Sequence, residues 1–248
     1  MPQRDEIVNN ATQLLTDLLE FFQSRTSSVN FEGSDKNIFA VILMVKIQNI
    51  CQGIYVTHEK KHLMPLEILL RSLIENVCLL KKHIDDPDFL NKYMDYEKYH
   101  QELMRLKTLR KIGDKSVPNI DELIKELKEK SKSIPRISST EIISDSGLGK
   151  EFIVCFFNFS ESVHSNFNDI KRYIKQDSDG TLSINAFPIM GSQYDLIARL
   201  LTACHSIIIT LETTQYLFKL SIIDNISNFK KLFNSIDHEL RLLMENNK

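Results

Sequence analysis

Apolar residues recur along this chain every three or four positions and seldom every second one, the periodicity of helices with one buried face. Segment 4–24 sets Ile7, Val8, Ala11, Leu14, Leu15, Leu18 and Phe22 on one stripe. After a polar loop with Gly33 and Asp35, residues 36–57 read as a nearly all-apolar helix. Segment 64–84 follows with Pro65 in its first turn, where proline costs a helix little, and Asp86-Pro87 ends it. Segment 88–112 is a more polar helix closing at Gly113; 119–132 places Asp121 before Lys125 and Glu126 before Lys130 at i,i+4, as a solvated surface helix does. Around 131–149 the periodicity fails, which predicts an irregular connection. Helices resume at 149–174, 191–220 and 225–246, and Asp179-Gly180 with the short alternating run after it predicts one small hairpin or irregular insertion near 176–188. The fold class is all-α. We expect a single bundle of about seven or eight helices over 1–248: N-terminal helices in 1–60, a core in 61–220 and a C-terminal helix over 225–246.

Composition adds limits rather than a function. With 248 residues, 42% of them hydrophobic, the chain can bury a substantial core. A net charge of −2 and a pI near 6.4 give no global field for nucleic acid or anionic lipid, so any such contact needs a local patch. Cys51, Cys78, Cys155 and Cys204 are far apart within apolar runs, which suits buried free thiols of a reducing compartment better than a disulfide or metal framework. The start, MPQRDEIVNN, lacks the pattern of a signal peptide. The most apolar segments, 38–56 and 196–211, are interrupted by Lys46, Gln48 and Asn49 or by Arg199, Thr202 and His205. A cytoplasmic chain with no membrane partner is the expectation.

His58-Glu59-Lys60-Lys61-His62 spells H-E-x-x-H, in which one helical turn places two imidazoles on a zinc ion and the glutamate acts as general base. Two features argue against that chemistry. Lys60 and Lys61 would bring two ammonium groups beside a dication, and Pro65 starts a new helix three residues later, so the motif straddles a solvated helix end. We expect no metal, with a zinc hydrolase as the remote alternative.

Polar pairs set into apolar faces are more informative. In LEILLRSLIENVCLLKKH, Arg71 and Glu75 share a strip of a helix that is apolar almost all round, and buried charges need partners. In FIVCFFNFSESVHSNFNDI, Phe152, Phe156, Val163, Phe167 and Ile170 define a core face, and Ser160 and His164 fall at its edge. A third patch joins Tyr93, Tyr96 and Tyr99 to Arg105, Lys107, Arg110 and Lys111 on one helix, where rings could stack bases and cations neutralise phosphates. The same residues also suit ordinary packing and a basic helix C-terminus.

LLRSLIE on an early helix, FSESVHSN on a later one and the D-x-D-G turn after it resemble an uncharacterised group of helical bacterial proteins of unknown function. Through that group the chain is similar to the HEPN (higher eukaryote and prokaryote nucleotide-binding) superfamily, over roughly 60–220. The resemblance implies a helical bundle, commonly a homodimer, and in many members a metal-independent endoribonuclease without cofactor, working in toxin, antiphage or RNA-processing systems beside a neighbouring-gene partner. The matching positions are Arg71, Glu75, Ser160, His164 and Asn166. One departure stands out. The superfamily's arginine-to-histidine signature is met here only by Arg199 and His205, with Leu200 where a polar residue belongs, and six residues of helix would turn the two side chains about 120° apart. Arg199 instead falls on a seam with Asp195, Thr202, Ser206 and Thr210 that suits helix packing. The functional expectation is therefore RNA binding or cleavage, with a non-catalytic interaction or dimerisation module as the alternative.

Overall fold

The computed structural model describes residues 2–29, 33–60, 63–132, 134, 137–163, 174–176, 181–184 and 193–245. Nine helices run through the described residues: α1 (Pro2–Ser27), α2 (Asp35–Glu59), α3 (Leu63–Asp85), α4 (Phe89–Lys111), α5 (Ile120–Ser131), α6 (Ser139–Asp145), α7 (Lys150–Val163), α8 (Gln193–Leu217) and α9 (Ile223–Glu245). Between α7 and α8 lies one antiparallel pair of three-residue strands, β1 (Ile174–Gln176) and β2 (Leu182–Ile184), with Lys175 opposite Ser183. The chain is thus an all-α bundle with one small hairpin, beginning two residues earlier than the sequence pattern placed it.

Helix ends follow from local chemistry. Ser34 accepts from the Asn37 amide at the start of α2. Gly113, at φ 70°, closes α4: its amide donates to the Arg110 carbonyl and that of Asp114 to the Leu109 carbonyl, which satisfies two otherwise orphaned carbonyls. The stretch expected to be irregular contains α6, one helix more than the periodicity suggested. Its start is a reciprocal cap: Ser138 accepts from the Glu141 amide, and the Glu141 carboxylate accepts from the Ser138 amide at 2.8 Å. Ser138-Ser-Thr-Glu141 is a legible cap signal, but α6 is too short for its apolar residues to show a period.

α3 and α8 are the central helices. α3 packs against α2, α6, α7 and α8, while α8 packs against α1, α2, α3 and α9. The apolar stripe of α1 lies in the core, with Ala11, Leu15, Leu18 and Phe22 fully buried. At the α2–α3 crossing Gly53 allows close approach, since a Cβ there would meet the Leu69 side chain at 3.3 Å. Along α8 the hydroxyls of Ser206, Thr210 and Thr214 are buried, and each donates to the carbonyl four residues earlier, which makes this polar seam compatible with helix packing. By length and composition, α2 and residues 195–217 of α8 reach membrane-spanning size, contrary to the narrower segments read from the sequence. The α8 window is 61% buried inside the fold and the α2 window 39%.

Candidate functional site

The zinc-like motif comes apart at the residue level. α2 ends at Glu59 with Lys60 as its cap, and Lys61 and His62 lie outside the described residues. His58 is not solvated as its neighbours suggested: it is buried against α1, with Nε2 3.2 Å from Thr12 Oγ1. The Thr12 hydroxyl already donates to the Val8 carbonyl, so it accepts the proton on Nε2 of His58. Among the described residues, no three His, Cys, Asp or Glu side chains group as a metal site would need.

A ladder of charges lies instead along α3. Glu67, Arg71 and Glu75 recur every four residues and so fall one above another on the helix. Arg71 Nη2 lies 3.4 Å from Glu75 Oε1, with both side chains about a quarter exposed (25% and 29%). The guanidinium carbon of Arg71 sits 5.2 Å from the centroid of Phe156 on α7, near enough for the cation to be drawn to the ring. One turn further along α7, the Ser160 hydroxyl donates to the Phe156 carbonyl at 2.6 Å. The α3–α7 crossing thus brings together Arg71, Glu75 and the turn that carries Ser160. His164 and Asn166 lie outside the described residues.

The ladder continues to α8. Arg199 Nη2 donates to Glu67 Oε1 at 2.6 Å across 132 residues of sequence, with side-chain exposures of only 12% and 3%. Glu67 was not singled out in the sequence. Its signal was its place four residues before Arg71, inside the apolar run Leu66-Glu67-Ile68. Arg199 had been read as lying on a packing seam, and its partner on α3 is the addition. His205, six residues on, faces another way: its ring lies 5.4 Å from Phe152 and 5.1 Å from Phe233. It lines a cleft of about 270 Å³ between α7, α8 and α9, with Cys155, Thr202, Asp237 and Arg241. Arg199 and His205 therefore belong to separate surroundings, as their angular separation required.

Among the described residues, three guanidinium nitrogens in this ladder are buried without a hydrogen-bond partner: Nε of Arg71, and Nε and Nη1 of Arg199. A buried unsatisfied donor costs about 1–3 kcal/mol, and more when the group is charged. Arginine donors in a fixed fork suit carboxylate or phosphate oxygens. Along α3 Glu75 tethers Arg71, Glu67 holds Arg199, and the Phe156 ring lies against the Arg71 guanidinium.

The aromatic and basic patch on α4 is divided. Tyr93 is packed inward, stacked on Phe89 at 5.6 Å and tilted against Phe39 at 5.9 Å, and burial raises its hydroxyl pKa. Tyr96 stacks on His100 at 5.5 Å, and together with Tyr99 they line a groove of about 290 Å³ between α4 and the end of α5. Arg105 is held by both oxygens of Glu102, and Arg110 by Asp121 of α5 at 3.1 Å. Lys107 and Lys111 are exposed on the same helix. Of the candidate contact residues, Arg105, Lys107, Arg110 and Lys111 are exposed, the two arginines within ion pairs, and Tyr96 is half-buried.

What fold and site define together is an all-α bundle whose central helix carries an arginine–glutamate ladder. The chain belongs to a family of unknown function, DUF5677, whose model matches residues 37–181. That span includes Glu67, Arg71, Glu75 and Ser160, and it stops before Arg199. No curated protein and no solved structure matches the chain.

Proposed function

We propose that this protein is a HEPN-like RNA-binding protein acting as a metal-independent endoribonuclease, with its phosphate site at the crossing of α3 and α7. The observation that carries this reading is Arg71: a partly exposed guanidinium, tethered to Glu75 and lying on Phe156. Such a group is pre-organised to meet charge on a phosphate oxygen. His164, matched through the resemblance, serves as general base or acid at a ribose 2′-hydroxyl. Tyr96, Lys107 and Lys111 on α4 extend the contact to flanking nucleotides. A cytoplasmic role in toxin or antiphage systems, beside a neighbouring-gene partner, completes the proposal.

The test is cleavage of single-stranded RNA by purified protein in EDTA. The proposal expects wild-type cleavage and loss of at least a hundredfold in Arg71→Ala and His164→Ala, each with an unchanged melting temperature. Full activity in both variants would overturn it.

A second reading is favoured by the burial of Glu67 with Arg199. In it the ladder fixes helix register in a non-catalytic interaction module. That reading expects Arg71→Ala to lower the melting temperature and wild type to leave RNA intact.

A further inference from the structure

The cleft of about 270 Å³ between α7, α8 and α9 belongs neither to the charge ladder of α3 nor to the groove on α4. Its walls are mostly apolar: Phe152 from α7, Leu201 from α8, and Phe233 and Leu240 from α9. The His205 ring lies against both phenylalanines, and two turns away along α8 and α9 the cleft reaches the exposed residues Ala198 and Arg241. Pockets for drug-sized ligands begin at roughly 300 Å³, so a cleft just under that size suits a smaller molecule.

Three polar side chains decide which molecule. The Thr202 hydroxyl gives its proton to the Ala198 carbonyl at 2.8 Å, so its oxygen can only accept. Asp237 is a second acceptor, and Arg241 Nε donates to it at 2.7 Å. These two side chains are 30% and 71% exposed, and an ion pair so open to water is worth little, so it rearranges readily around a ligand that brings both charges. A phosphate or simple carboxylic acid would suit Arg241 but would face Thr202 and Asp237 with no proton to give. A simple amine would suit those two acceptors and be repelled by the guanidinium.

We propose that this cleft binds a free α-amino acid with an apolar side chain. The ammonium donates to Thr202 Oγ1 and to the Asp237 carboxylate, while the ligand carboxylate accepts from the planar Arg241 guanidinium. The side chain of the ligand lies among Phe152, Leu201, Phe233 and Leu240, where burial supplies most of the affinity. This inference is independent of RNA chemistry and of Arg71.

The experiment is isothermal titration calorimetry of the full chain with L-phenylalanine and L-leucine, beside two blocked forms: N-acetyl-L-phenylalanine, which lacks the ammonium, and L-phenylalaninamide, which lacks the carboxylate. For ligands of this size the proposal expects dissociation constants on the order of 10 μM to 1 mM, and binding roughly tenfold weaker or worse for each blocked form. Asp237→Asn and Thr202→Val, at unchanged melting temperatures, should each weaken L-phenylalanine and leave N-acetyl-L-phenylalanine no weaker. Saturating L-phenylalanine should also slow alkylation of Cys155, which lines the same cleft. The proposal is overturned if neither free amino acid binds across that range, if both variants bind as wild type does, or if Cys155 reacts at full speed with the ligand saturating. N-acetyl-L-phenylalanine binding as tightly as L-phenylalanine would overturn it in favour of a site for simple carboxylic acids.

Discussion

Glu67 and Arg199 leave water together. With exposures of 3% and 12% they form a largely buried charge pair, and breaking such a pair by removing one partner costs about 3–5 kcal/mol. Urea unfolding of Glu67→Leu and Arg199→Met should each show a loss of that size, while the double variant, which removes both charges, should recover most of it. Additive losses would show that the pair does not act as a unit. A second residue with a measurable signature is His83. It is buried, donates from Nε2 to the Lys36 carbonyl at 2.8 Å and sits edge-on to Phe39. Burial lowers its pKa from the ordinary 6.5, and the Lys36 charge adds to that against the opposing carbonyl bond. The folded protein therefore binds fewer protons there than the unfolded chain. The His83 contribution is complete above about pH 6.5 and is lost as the pH falls from there through the depressed folded value. His83→Gln, which keeps a donor but cannot titrate, should flatten the pH dependence of stability below pH 6.5. An identical slope in variant and wild type would remove His83 as its source.

At the scale of elements, each of the eight helical segments read from periodicity holds a helix among the described residues, because a long buried face imprints a repeat on the sequence; in the 149–174 segment α7 is described only to Val163, residues 164–173 lie outside the described residues and Ile174 begins a strand. α6 escaped because seven residues carry too few apolar positions to show one. The site was legible in part. Arg71 with Glu75 stood out as charges on an apolar helix, whereas the Glu67–Arg199 pair depends on how α3 and α8 cross, which no local pattern encodes. His58 was misjudged for the same reason: its neighbours in sequence are charged, but its partner Thr12 lies on α1. Three of the four cysteines illustrate the readable kind, while Cys155, expected to be buried with them, is half-buried. Cys51, Cys78 and Cys204 sit on the inner faces of α2, α3 and α8, and burial raises all three thiol pKa values, that of Cys78 to about 11. Iodoacetamide at neutral pH should leave these three unmodified in the folded protein and label them on unfolding, with Cys155 the first to react. Early modification of Cys51 or Cys204 would contradict the packing of α2 against α8.

For the whole molecule, a near-neutral net charge means that the proposed RNA contact depends on a local grip rather than on a long-range field. The central claim is that Arg71 supplies that grip at the α3–α7 crossing. Its most direct test is the affinity of labelled single-stranded RNA for wild type and for Arg71→Gln, measured by fluorescence anisotropy in EDTA across a range of salt concentrations. A charged hydrogen bond to phosphate is worth about 1.5–3 kcal/mol, so the variant should bind roughly ten- to a hundredfold more weakly, with a salt slope reduced by about one. Equal affinity and slope in the two proteins, or no binding by wild type at low salt, would contradict the account.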